Sequence, residues 1–141
     1  MWTSRSLVLV GISGAMAVAL GALGAHALKN QLETGLINLT ELNAFDTASK
    51  YQLFHTLAML LMVVLHTQMP SKHLRWSFRF FMLGIVFFSG SLYLISTRHL
   101  LGAEWLRFLG PVTPLGGLFF MAGWLMLVVS VFKNVKAKQS V

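Results

Sequence analysis

Four apolar stretches, residues 7–28, 51–69, 77–96 and 112–132, divide this chain. Each holds about 20 residues, the length an α-helix needs to cross the hydrocarbon core of a bilayer. A soluble helix breaks its apolar run with charge every turn or two, yet only Arg79 interrupts the third stretch, near its end. The pattern predicts an all-α fold, a four-span transmembrane helical bundle making one integral membrane domain over residues 1–141. Residues 30–50 are too many for a tight turn. Leu36, Leu39, Leu42 and Phe45 among polar neighbours predict a short interfacial helix in this outer loop between spans one and two, with Asp46 or Thr47 capping span two. The short turn over residues 70–76 makes spans two and three antiparallel neighbours, and residues 97–110 have room for an interfacial turn around Trp105 and Phe108.

Composition strengthens the membrane reading. With 56% hydrophobic and 11% charged residues and a mean hydropathy of +0.71, the chain would expose too much apolar surface in water. The lack of cysteine excludes disulfides, thiolate metal sites and cysteine nucleophiles.

A net charge of +7 invites a nucleic-acid reading, but the basic residues flank spans instead of covering a soluble module. They read as topology. Four spans put both termini on one side, and that side holds Arg5, Lys72, Arg75, Arg79, Lys133, Lys136 and Lys138 with no acid. The other side holds Lys29, Lys50, Arg98 and Arg107 with Glu33, Glu41, Asp46 and Glu104. Seven basic residues against four predict N-in, C-in, with the cationic tail and the 72–79 segment facing anionic headgroups. Arg5 before an apolar run ending Ala25-His26-Ala27 imitates a cleavable secretory signal; the run exceeds an ordinary signal core and is read as span one.

Span one is rich in small residues. Gly11, Gly14, Ala15, Ala17, Ala19, Gly21, Ala22, Gly24 and Ala25 share a broad arc at about 100° per residue, opposite Ile12, Met16, Leu20 and Leu23. Seams such as Gly14, Ala17, Gly21 and Ala25 predict close helix packing, and place span one at the centre of the bundle. Gly116, Gly123 and Ser130 form a narrower seam on span four. Either seam suits packing within the chain or a homo-oligomer, the former being preferred. Span two turns Gln52, His55, Met59, Met62 and His66 to one protein-facing side.

Polar side chains gather at the outer ends of the spans. His26, then Tyr51, Gln52 and His55, then Ser89, Ser91 and Tyr93, and finally Thr113 occupy one layer, so a convergent hydrogen-bonded cluster is expected whether or not a ligand binds. His26 and His55 come from two helices and are candidate haem or metal ligands, although neither sits in a dense ligand motif. Ser89 and Ser91 lack a nucleophile elbow, and no span holds a carboxylate for triad chemistry, proton relay or cation transport.

The same segments carry a family resemblance. Residues 21–28 (GALGAHAL), Phe45-Asp46-Thr47-Ala48 with residues 51–58 (YQLFHTLA), residues 88–94 (FSGSLYL), and residues 110–117 (GPVTPLGG) with Gly123-Trp124 occur in that order. They resemble domain-of-unknown-function family 423, the YgdD/YwdK-like small inner-membrane proteins with mitochondrial relatives called transmembrane protein 256. Thr56 stands where that family more often has Ala. The resemblance implies a small multi-pass protein of the bacterial inner (cytoplasmic) membrane and brings no activity with it. Two readings of function follow. The first is a non-enzymatic accessory or interaction subunit of a larger membrane complex. The second is a binder of a small amphipathic ligand, a lipid headgroup or quinone, at the outer cluster of His26, Gln52, His55, Ser89, Ser91, Tyr93 and Thr113. A His-ligated haem or metal protein stands behind both, and no catalytic residue is assigned.

Overall fold

A computed structural model describes residues 2–139, with side chains described to residue 135. Its helices α1 (Trp2–Glu33), α2 (Leu39–Gln68), α3 (Lys72–Ser96) and α4 (Val112–Gln139) are each long and apolar enough to cross a membrane. Among the described residues there is no strand. Of the expected cytoplasmic charges, the side chains of Lys136 and Lys138 lie outside the described residues.

The separate interfacial helix expected between spans one and two is not formed. Residues 39–50 are helical, but they continue into span two as the first turns of the 30-residue α2. The start is set by Asn38, not by Asp46 or Thr47. Asn38 accepts from the Glu41 N–H at 3.0 Å, and the Glu41 carboxylate accepts from the Asn38 N–H at 3.0 Å, a capping box that satisfies two orphan donors. Asp46, about two turns inside the helix, instead pairs with Lys50 at 2.6 Å. Pro70 follows α2, and Ser71 caps α3 by accepting from the His73 N–H. The connection to α4 carries the expected interfacial turn, a 3₁₀ segment at Glu104–Leu109 with Trp105 and Phe108 exposed.

Two antiparallel pairs make the bundle. On the α1/α2 seam a Cβ on Gly14 would touch Thr56 and one on Gly21 would touch Ser49, both at 3.7 Å, while one on Gly24 would lie 2.9 Å from the Phe45 ring. On the α3/α4 seam the exchange is reciprocal. Phe120 of α4 fills the space beside Gly84, while Phe88 and Phe81 of α3 fill the spaces beside Gly116 and Gly123. The span-four seam is thus used within the chain, with Ser130 also fully buried.

Span one does not sit at the centre. Half of the apolar window of α2 is buried, against 17% for α1. α2 touches α1 on one side and α3 on another, whereas α1 leans chiefly on α2. The small side chains of α1 permit close approach, but its contact line is narrow: Ser6, Val10, Ala17, Gly24 and Leu28 are its buried residues. These lie at spacings of four and seven, the repeat that holds a helix against one neighbour. Ala25, eight residues beyond Ala17, has rotated about 80° from it and is exposed, so the seam runs through Gly24 instead.

A core of Met59, Met62, Val63, Leu74, Phe78, Phe81 and Phe120 fills the space between α2, α3 and α4. A smaller cluster of Leu28, Ile37 and Phe45 closes the end of the bundle where α1 joins α2.

Candidate functional site

Gln52 is the hub of the polar layer shared by the spans. Its side-chain amide donates to the Ser13 carbonyl at 3.0 Å, and its amide oxygen accepts from the Tyr93 hydroxyl at 2.9 Å, which ties α1, α2 and α3 together. Ser13 and Thr56 share a hydroxyl bond of 2.6 Å across the same seam, and Thr56 also donates back to the Gln52 carbonyl. Between α3 and α4, Ser91 and Thr113 are joined at 2.7 Å. These groups spend their hydrogen bonds on one another, as groups shielded from water must. The buried Ser89 hydroxyl, in the π-helical turn Ile85–Ser89, has no hydrogen-bond partner among the described residues.

The structure separates the two histidines. His26 is exposed, on the π-helical turn Gly24–Leu28. The α1/α2 register sets Gly14 against Thr56 and Gly21 against Ser49, so His26 stands level with Asn43 and Ala44, eleven residues or about 16 Å along the axis from His55. One iron or metal ion cannot reach both.

His55 belongs to an aromatic stack, not to the Gln52 network. Its Nδ1 is 2.8 Å from the Tyr51 carbonyl, and its ring lies on Phe120 with centroids 3.5 Å apart and planes at 11°. Tyr51 stacks in turn on Phe88 at 4.7 Å, and Trp124 meets Phe81 edge-on at 5.1 Å. Beside this stack an open groove of about 840 Å³ runs between α2 and α4, with Phe88 of α3 in its wall.

Two groupings escape sequence reasoning. Ser13 and Thr56 are single hydroxyls in apolar spans, and only the antiparallel register brings them together. The other grouping is ionic. Glu41, 4% exposed, lies 2.7 Å from Arg98 Nη2 and 3.1 Å from His99 Nε2, and His99 Nδ1 lies 2.6 Å from Glu104. This clasp joins the start of α2 to the loop after α3. Its signal in the sequence is the presence of acids and bases in both loops at that end, which says which loops carry charge but not which charges meet.

The comparisons agree with this architecture. The family described as "Protein of unknown function (DUF423)" matches residues 20–117. The chain belongs to the DUF423 family. It is 40% identical to the UPF0382 inner membrane protein YgdD of Escherichia coli (strain K12) over 132 residues, 93% of this chain and 92% of that protein. It is 37% identical to the UPF0382 membrane protein SH2409 of Staphylococcus haemolyticus over 129 residues, 92% of this chain and 96% of that one. No solved structure matches. The DUF423 match takes in Gln52, His55, Ser91, Tyr93 and Thr113, and ends at Gly117, short of Phe120 and Trp124. With four apolar helices and relatives named membrane proteins, this DUF423 chain is an integral, multi-pass membrane protein.

Proposed function

We propose that this protein is a non-enzymatic accessory or interaction subunit of the inner membrane, docking on a larger membrane complex through α1. The inner membrane is suggested by the name of the Escherichia coli relative. One observation carries the docking role: α1 has a second line of small residues that no described residue covers. Gly11, Ala15, Ala22 and Ala25 are exposed within about 80° of arc, and a Cβ on Gly11 would meet no atom within 4 Å. Between helices in lipid there is no hydrophobic drive, so close backbone contact over small side chains supplies the packing. A line of this kind is costly to fill with large residues only where a partner helix lies against it.

The test uses Gly11→Leu and Ala22→Leu. Both substitutions enter open space and should leave thermal unfolding of the isolated chain unchanged. In gently extracted membranes they should dissolve the assembly that wild-type chain forms, seen as a fall in native mass. A wild-type chain that runs alone, or an assembly indifferent to both changes, would remove this reading.

A further inference from the structure

The groove beside His55 is lined by α2, α3 and α4 and by no residue of α1, so what it binds is independent of docking through α1. It is mostly apolar and within the size range of small-molecule sites. Its side-chain polar groups are the Tyr51 hydroxyl, the His55 imidazole and the Trp124 indole N–H. The Tyr51 carbonyl can only accept, so His55 Nδ1 is the donor in that 2.8 Å bond. In the neutral ring this leaves Nε2 as an acceptor, and no described residue donates to it.

Gly117 is the second, independent observation. Its neighbour Gly116 must be glycine because the Phe88 backbone lies against it, but a Cβ on Gly117 would meet nothing within 4 Å. Helix packing does not ask for glycine at 117. What its missing side chain does is keep the groove wall open, since Gly117 lines the groove.

We propose that this groove binds the ring of a lipid-soluble hydroquinone, with its apolar tail leaving toward the acyl chains. Three features select that occupant. A flat ring can extend the stacks of Tyr51 on Phe88 and of His55 on Phe120, all of which line the groove, since aromatic rings prefer offset stacking with another π-system. A ring hydroxyl supplies the donor that His55 Nε2 lacks. Ring oxygens can accept from the Trp124 N–H and the Tyr51 hydroxyl. A phospholipid acyl chain would fill the volume but satisfy none of these groups.

The full-length chain in nanodiscs is titrated with a decyl-substituted benzohydroquinone and, separately, with its oxidised quinone, reading Trp124 fluorescence in a background where Trp2, Trp76 and Trp105 are Phe. Saturable binding is expected, about ten-fold tighter for the reduced ring because only it donates to His55. His55→Phe keeps an aromatic ring and should erase that preference. Gly117→Leu should fill the groove and abolish binding of both forms, while circular dichroism and thermal unfolding remain those of wild type. Linear, non-saturable quenching, equal affinity for the two forms, or binding unaffected by Gly117→Leu would overturn the proposal. Phospholipid that co-purifies and is not displaced by the hydroquinone would do the same and assign the groove to an acyl chain.

Discussion

The backbone of Gly116 on α4 lies directly against the backbone of Phe88 on α3, so near that no Cβ fits between them. The obstacle is backbone, which cannot swing aside as a side chain can, and the helices would have to part. Gly116→Ala should therefore destabilise the bundle by about 1–3 kcal/mol, the usual cost of overpacking. The adjacent Gly117→Ala is the internal control and should change stability by less than about 0.5 kcal/mol. Thermal unfolding in one detergent compares the two, and equal effects would show that the α3/α4 contact at Gly116 is loose enough to admit a Cβ.

Gln52 and Tyr93 test the polar hub. Replacing Gln52 by Leu leaves the Tyr93 hydroxyl without its acceptor and removes the only described side-chain link from α2 to both α1 and α3. A loss of about 1–2 kcal/mol is expected, and Tyr93→Phe should cost less because the Gln52 amide keeps Ser13. The double variant should be less unstable than the sum, by roughly 0.6 kcal/mol, the typical worth of such a bond between membrane helices.

The parts of this fold that were legible in the sequence are those that hydropathy measures. Four spans, their alternating direction, and the turn at Trp105 follow from where apolar residues begin and end. Where a helix begins is a different question. α2 starts at Leu39 because Asn38 and Glu41 form a capping box, a local four-residue signal that the search for an apolar run passes over. The misplacement of span one has another cause: Gly14, Ala17 and Gly21 report that a helix can be approached closely, not how many neighbours approach it. The site divides in the same way. Membership of Gln52, Ser91, Tyr93 and Thr113 in a buried polar layer could be read from depth along the spans, whereas pairing depends on register. Thr56 meets Ser13, His55 turns to Phe120, and His26 turns outward for reasons that no single span contains.

The Glu41 clasp should behave as a coupled unit. Glu41 is buried, so removing Arg98 leaves its carboxylate with His99 as its remaining ion-pair partner, and Arg98→Met should cost about 1–3 kcal/mol. Glu41→Gln introduced together with Arg98→Met removes both charges of that pair and should recover part of the loss. Unfolding midpoints of the wild type, Arg98→Met and the double variant provide the comparison. A double variant no better than Arg98→Met alone would mean that the ion pair contributes little beyond packing.

Sidedness can be read directly because the chain has no cysteine of its own. Thr34, between α1 and α2, and Gln68, at the end of α2, are both exposed and stand at opposite ends of the bundle. Arg5, Lys72, Arg75 and Lys133 belong to the Gln68 end, where Lys133 approaches His73 at 3.3 Å and Trp2 meets His66. Short segments rich in Lys and Arg tend to remain in the cytoplasm, so that end is expected to face inward. A membrane-impermeant maleimide should then label Thr34→Cys in intact spheroplasts and reach Gln68→Cys only after the membrane is opened. The converse labelling would invert the bundle. It would also put the mouth of the His55 groove nearer the inner leaflet, so the measurement decides which leaflet's lipids are presented to it.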